Sequence, residues 1–266
     1  MARPIITLTT DYGTGDHLVG AMKGVILSIN PEVNIVDITH RVIAHDVLDG
    51  ALTVGQFYNY FPPKTIHLAV VDPGVGTERR PILVAADQHY FVAPDNGVLS
   101  AVYDQSESLN VWHITSEHYF RQPVSNTFHG RDIFAPVAAW LSKNWQTASF
   151  GEAIEDFVRF TIPKPKVNGN SIKAVVLRQD HFGNLITNLK GEEAPALVEP
   201  GAKFKIRAGN AEITKLLPTF AAASAGEPFA IIGSGGYLEL CVNKGNAART
   251  LGIVRGAEIS VEIEPA

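Results

Sequence analysis

The sequence predicts an α/β domain followed by an all-β domain, and three observations carry that expectation. In the first part of the chain, short apolar runs alternate with stretches of helical period. From Ser171 onward the runs are short, β-rich and separated by turn residues. Between the two parts, Thr161–Asn170 (TIPKPKVNGN) carries two prolines and two lysines and has no periodicity, as a boundary would. The expected domains are 1–162 and 171–266, with a linker at about 163–170. The first should hold a central, mostly parallel sheet flanked by helices. The second should be a small barrel or sandwich.

Bulk composition narrows the classes. A chain of 266 residues is comfortable for two domains of roughly 100–200 residues each. With 45% hydrophobic and 18% charged residues, a sizeable core is expected. A net charge of −5 argues against a general nucleic-acid binder. The single cysteine, Cys241, allows no intrachain disulfide framework and no Cys-rich zinc site. The N-terminus lacks a signal-peptide pattern, and no run of about 18 apolar residues occurs. A cytoplasmic enzyme or binding protein, without membrane or nucleic-acid partners, is the expectation.

Ile5–Thr10 reads as the first strand and ends in Asp11-Tyr12-Gly13-Thr14-Gly15-Asp16. Leu18, Val19, Met22, Val25, Ile26 and Ile29 then fall on one helical face, and Asn30-Pro31 stops that helix. An aspartate in a strand–loop–helix turn can accept hydrogen bonds from a sugar diol, which is the reading for Asp11. Asp16 reads equally as a helix N-cap. Asn34–Thr39 is the second strand and Val47–Phe57 the second helix. His17, His40 and His45 lie near acids, but their spacing matches no established metal motif.

Ile66–Val71 is continuously apolar, as in a strand covered on both faces. It runs into Asp72-Pro73-Gly74-Val75-Gly76-Thr77-Glu78-Arg79-Arg80. An acid at a strand end, a glycine loop and two guanidinium groups suit a ligand site beyond the carboxyl ends of a sheet. The plain alternative is a turn with a solvated Asp–Arg pair. Pro81–Ala86 and His89–Ala93 read as a hairpin. Asp95 and Asn96 then either cap a helix starting near Val98 or touch a ligand. A polar region ends in Phe128-His129-Gly130-Arg131-Asp132, before a helix over Ile133–Leu141. A histidine just before a helix start stands where a bound anion or a neutral imidazole is favoured.

The second part offers strands at Ser171–Arg178, Leu185–Leu189, Lys203–Ala208, Ala211–Leu216, Pro228–Ile232, Tyr237–Val242 and Ala257–Ile263. Asp180-His181-Phe182-Gly183-Asn184 and Gly233-Ser234-Gly235-Gly236 interrupt them, with Asn243–Ala248 beyond. Either stretch serves as a hairpin turn. Phe182, an aromatic flanked by polar residues, also suits stacking on a flat base.

Taken together, TTDYGTGD, VVDPGVGTERR, APDNGVL, FHGRDIFAP, DHFGN and GSGGYLEL…NKGNAA resemble the S-adenosyl-L-methionine (SAM) hydrolase (adenosine-forming) family. These enzymes are also called SAM hydroxide adenosyltransferases and are relatives of the SAM-dependent fluorinase and chlorinase. The resemblance implies an α/β domain and a C-terminal β-barrel. It also implies a homotrimer with each active site between subunits, and attack at ribose C5′ of SAM to give methionine and adenosine. It places a catalytic Asp–Arg–His set on Asp72, Arg79 and His129, with Arg80 adjoining. It puts Asp11 at the ribose and Asp16 as the second acid of that turn. Asp180 falls at the methionine amino group, and Phe182, Asn184, Asn246 and Ala247 at the adenine. Ser234 falls at the methionine carboxylate.

The halogenase branch is implied to carry a small hydroxyl residue where Gly130 stands and an arginine where Gly235 stands. The fluorinase is also implied to carry an inserted loop between the hairpin strands, around Asp87. This chain has none of these, which points to water as the nucleophile. A thioether leaving a sulfonium needs no acid. Water is weak, so a carboxylate and a histidine are expected to orient it and take its proton, with Arg79 keeping Asp72 ionised. No metal or organic cofactor is implied. The alternatives are a chloride-using enzyme of this fold, a non-catalytic SAM or adenosine binding module, and a metallophosphohydrolase.

Overall fold

The structure is a computed structural model that describes residues 3–264, so the outer ends of the two expected domain ranges lie outside it. The chain divides into two compact units between Ile162 and Pro163.

The first unit contains β1 (Ile5–Thr10), α1 (Leu18–Ile29), β2 (Asn34–Thr39), α2 (Val47–Phe57), β3 (Ile66–Val70), β4 (Pro81–Ala86) and β5 (His89–Pro94). It continues with α3 (Ser100–Gln105), β6 (Leu109–Ile114), α4 (Ala135–Leu141) and β7 (Gly151–Ile154). Its seven-stranded sheet runs β2-β1-β3-β5-β4-β6-β7. The pairs among β2, β1, β3 and β5 are parallel. The rest are antiparallel, so the sheet is mixed rather than mostly parallel. The antiparallel half comes from the β4–β5 hairpin, whose Asp87 turn reverses the chain, and from β6 and β7. Those two strands lie in stretches too polar for the apolar pattern to reveal.

Both faces of the sheet are covered. Ile66, Leu68 and Val70 of β3 pack into one core with Ile6 and Leu8 of β1, Met22 and Ile26 of α1, and Val137 and Leu141 of α4. Ala69 and the following Val71 point the other way, into a core with Val54 of α2 and Val102 of α3. Alternation on a strand buried on both sides therefore accounts for the unbroken apolar run. The order β2-β1-β3 also means that the chain leaves β1 toward one side and returns through β3 on the other. This places a topological switch point at the carboxyl ends of β1 and β3, where open α/β sheets form their clefts.

The second unit contains β8 (Lys166–Asn168), β9 (Ser171–Gln179), β10 (Leu185–Lys190), α5 (Pro195–Val198), β11 (Phe204–Ala208) and β12 (Ala211–Ile213). It ends with β13 (Pro228–Ile232), β14 (Tyr237–Val242), α6 (Ala247–Leu251) and β15 (Glu258–Ile263). The main path is β12-β11-β15-β9-β10-β14-β13, with β8 paired to β9. Beyond β12, Leu217 N–H donates to Ala230 C=O at 2.9 Å and Ala230 N–H to Lys215 C=O at 2.8 Å. This short parallel bridge joins the two ends of the sheet into a nearly closed barrel. Two expectations change. The linker expected at about 163–170 holds β8, because Gly169 at φ +57° lets Val167 pair back on Ile172. The all-β unit also carries two short helices, α5 and α6. Among the described residues no helix is long and apolar enough to cross a membrane.

Candidate active site

Asp72 stands two residues beyond the end of β3 and points back into its own loop. Arg79 Nε donates to Asp72 Oδ1 at 2.9 Å, and Arg79 Nη2 donates to Asp72 Oδ2. The same Nη2 lies 2.8 Å from His129 Nδ1. Side-chain exposure is 4% for Asp72 and 9% for Arg79, so this pair is desolvated, unlike a surface ion pair. Arg79 Nη1 is buried and has no hydrogen-bond partner among the described residues. It is a donor aimed at nothing the chain supplies.

A guanidinium has only donors, so His129 Nδ1 must accept. The proton of a neutral His129 then sits on Nε2. The imidazole is held below its ordinary pKa, first by burial and then by the Arg79 charge, with Asp72 and Asp132 opposing. His129 is therefore neutral near pH 7 and offers an Nε2–H donor.

His129 leads into a single π-helical turn, Gly130–Phe134, ahead of α4. The expected helix from Ile133 thus begins as regular α-helix only at Ala135. Pro136 has no N–H, so Asp132 C=O lacks its intrahelical donor and accepts from Arg121 N–H at 2.8 Å instead. Ala135 N–H reaches back five residues to Gly130 C=O. The wider turn brings residues five apart to one side. His129 contacts Arg79 by its ring nitrogen, and the Phe134 ring lies 5.0 Å from Arg79 Cζ. Asp132, fully buried, holds the turn through Arg131, Arg121 and the Ser125 N–H.

The glycine loop is used for packing against the chain itself. Gly76 has φ +78°, and a Cβ there would lie 2.3 Å from Asn126 C=O. This seats the Asp72–Arg80 loop on the segment that leads to His129. Asn96 Nδ2 donates to Val71 C=O at 2.8 Å, fixing the end of the apolar run from which Asp72 projects. Neither Asp95 nor Asn96 caps α3, whose N-cap is Leu99 without a side-chain bond. Arg80 turns away from Asp72. It donates to buried Asp95 at 2.9 Å and to Asp156 at 2.8 Å. Arg79 is thus the arginine that meets Asp72 and His129.

At the end of β1, Asp11 Oδ2 accepts from His45 N–H at 2.9 Å. Asp16 Oδ1 accepts from Leu18 N–H at 3.1 Å, so it satisfies a donor of the first turn of α1 from just before the N-cap residue, His17. His40 is buried and its Nδ1 lies 2.9 Å from Thr10 Oγ1. His17, His40 and His45 do not converge, and no metal-holding group of three or more His, Cys, Asp or Glu occurs among the described residues.

In the second unit the structure gathers most of the remaining candidates. Asp180 Oδ1 accepts from Phe182 N–H at 2.9 Å and Asn184 N–H at 2.8 Å, and Oδ2 accepts from Asn184 Nδ2 at 2.8 Å. Asn184 is buried, while Phe182 is 74% exposed. Ala248 N–H donates to Gly183 C=O at 3.1 Å, which joins this loop to Asn246 and Ala247. Asn246 caps α6 through Arg249 N–H at 2.9 Å, and Ala247 is buried. Ser234 stands apart from that loop, exposed in the β13–β14 turn closed by Gly236 N–H to Gly233 C=O at 2.9 Å. Sequence reasoning did not single out Tyr12 or Phe134, and it did not foresee that Asn96 would hold Val71 C=O. All three lie inside stretches already singled out, but nothing in the letters says what they touch.

The first unit is a sheet protein of the class that gathers reactive polar groups at a switch point, here a desolvated carboxylate, guanidinium and neutral imidazole. Comparison with known proteins narrows this. Residues 6–151 match the SAM hydroxide adenosyltransferase N-terminal domain and residues 174–260 the corresponding C-terminal domain. The chain is 38% identical to the (R)-S-adenosyl-L-methionine hydrolase of Salinispora tropica, over 97% of each chain. It is 29% identical to a fluorinase of Actinoplanes, again over 97% of each. The crystal structure of an uncharacterized conserved protein from Thermotoga maritima aligns with TM-score 0.91 at 35% identity, covering 97% of this chain and 99% of that one. This chain belongs to the SAM hydroxide adenosyltransferase family.

Proposed function

We propose that the protein hydrolyses SAM to adenosine and L-methionine by in-line attack of water at ribose C5′. The observation that carries this is the desolvated Asp72–Arg79–His129 cluster at the end of β3. Water oxygen forms a bond to C5′ as the C5′–S bond breaks, and the electron pair stays on sulfur to leave the neutral thioether of methionine. The proton released by the water goes to Asp72. Each Asp72 oxygen already accepts one bond from Arg79 and keeps a further lone pair. His129 has its Nδ1 lone pair occupied by Arg79, so it orients the water as an Nε2–H donor rather than taking its proton. That refines the expectation in which both residues accept. The water oxygen then accepts from His129 with one lone pair and attacks C5′ with the other, while the buried Arg79 Nη1–H is taken by no described residue. Holding C5′ in line with this water supplies a large share of the acceleration, since orientation is worth about 7–11 kcal/mol. The reaction as written draws on no cofactor.

Asp11 is proposed to hold the ribose of SAM, with Asp16 as the second substrate-binding acid of the same turn. Phe182, Asn184, Asn246 and Ala247 are proposed to take the adenine, Asp180 the methionine amino group and Ser234 its carboxylate. We further propose a homotrimer in which these second-unit loops complete a neighbour's site. The exposure of Phe182 supports a partner surface for that ring. An inactive Asp72→Ala chain mixed with an inactive Asn184→Ala chain should then regain activity on subunit exchange. Two variants that remain inactive together would rule out shared sites.

The decisive test is incubation with SAM in oxygen-18 water. Labelled adenosine is expected. Adenosine without label, 5′-chloro-5′-deoxyadenosine in chloride buffer, or bound and unchanged SAM would each overturn the proposal.

A further inference from the structure

The π turn beside His129 has an unexpected neighbour. A Cβ built on Gly130 would lie 2.4 Å from the Tyr12 hydroxyl oxygen and 3.3 Å from Tyr12 Cε2. The phenol therefore occupies the volume that a side chain at position 130 would need. Strand register puts the same residue beside the acid. Thr10 of β1 pairs with Val70 of β3, so Tyr12 and Asp72 each stand two residues beyond a matched pair on adjacent parallel strands. The ring is held edge-on by Phe128, with centroids 5.9 Å apart, and Tyr12 N–H is tied to Thr10 Oγ1 at 3.3 Å. Tyr12 is thus wedged between the Asp72 strand end and His129–Gly130. Its hydroxyl makes no hydrogen bond to another described residue. Burial, with Asp72 and Asp11 nearby, pushes the phenol pKa up, so the group stays a neutral donor across the physiological range.

We infer that Tyr12 is a specificity-determining residue of this site: its hydroxyl, seated on Gly130, walls the nucleophile pocket in front of Asp72 and His129 and limits it to water. The inference rests on the hydrolase reading above and adds to it the element that sets the size of the pocket. A small alcohol is the natural probe. Methanol oxygen would attack C5′, the C5′–S bond would break with its electron pair on sulfur, and the methanol proton would be lost to Asp72. The products would be 5′-O-methyladenosine and methionine.

The experiment is turnover of SAM in water–methanol mixtures, read as the ratio of 5′-O-methyladenosine to adenosine. This ratio does not depend on how much of a variant is folded. The wild-type chain should form almost only adenosine. Tyr12→Leu should raise the ether share about tenfold, the discrimination one methyl-sized change in a pocket can carry. Tyr12→Phe, which removes only the hydroxyl, should shift it the same way by less. Gly130→Ala should impair a chain with Tyr12 and do so less in the Tyr12→Phe background, because the clashing oxygen is gone. An active wild type whose product ratio is unmoved by both Tyr12 variants would overturn this inference alone. So would a Gly130→Ala penalty equal in both backgrounds. A wild-type chain that does not turn over SAM would overturn the hydrolase reading and this inference with it.

Discussion

The loops after β3 and β9 each carry an aspartate near the strand end, Asp72 and Asp180, and the fold uses the two acids in opposite ways. Asp180 is satisfied by its own loop: the N–H groups of Phe182 and Asn184 and the Asn184 amide all donate to it within four residues. Asp72 instead receives a guanidinium from seven residues away, and that guanidinium is shared with a histidine fifty residues further on. The first arrangement is a turn that builds itself and presents an exposed ring. The second exists only when β1, β3 and the π turn are packed together, and it keeps a donor, Arg79 Nη1, with no partner among the described residues. Local satisfaction produces a shaped loop. Long-range satisfaction produces a cluster with reactive capacity left over.

The contrast can be tested from both sides. Arg79→Ala is expected to have the largest effect, a loss of about 10³-fold in kcat with the fold intact, since it removes the group that orders Asp72 and His129. A variant that keeps a tenth of wild-type kcat would mean the cluster is structural. Its neighbour should behave in the reverse sense. Arg80→Ala leaves the buried Asp95 without its cation and should cost about 3 kcal/mol in urea unfolding. It should leave kcat nearly unchanged, and loss of turnover at unchanged stability would show that the two arginines have been assigned the wrong way round. Asp180→Ala strips three donors of their acceptor in a partly exposed loop and should cost about 1–2 kcal/mol while raising KM. An unchanged KM would show that the loop does not reach substrate.

Phe182→Ala, at an exposed position, should change stability by less than about 0.5 kcal/mol. It should raise KM by about tenfold if the ring stacks on adenine. The smallest effect is on pH dependence. His129 has a folded pKa below the ordinary imidazole value, so it stays neutral as pH falls through that range. The kcat/KM profile should therefore hold its plateau to lower pH than a free imidazole would allow and fall only below it, when His129 gains a second proton beside Arg79. A decline already under way at neutral pH would contradict the neutral Nε2–H donor.

Much of the fold was legible in the sequence because its signals are local. The helical faces of α1 and α2 and the unbroken run of β3 follow from the spacing of apolar side chains. The strands that escaped, β6 and β7, pair antiparallel beyond β4 in stretches with little apolar patterning. From the sequence, Asp95 and Asn96 either cap a helix starting near Val98 or touch a ligand. Asn96 Oδ1 does accept the nearby Val98 N–H at 3.1 Å, but the other partners, Arg80 and Val158 N–H for Asp95 and Val71 C=O for Asn96, come from segments that only the folded sheet brings near.

For the site, the sequence by itself determined the residue types: an acid at a strand end, a flexible loop, two arginines, and a histidine beside a glycine. It also carried the resemblance that ties them to SAM. Only the tertiary structure decided which arginine meets Asp72, which nitrogen of His129 is free, and that Tyr12 rests on Gly130. The reason is physical. Identity and spacing fix what a side chain can donate or accept, whereas the partner that takes each donor is set by strand register and by the π turn that Pro136 imposes, and these join residues far apart in the chain.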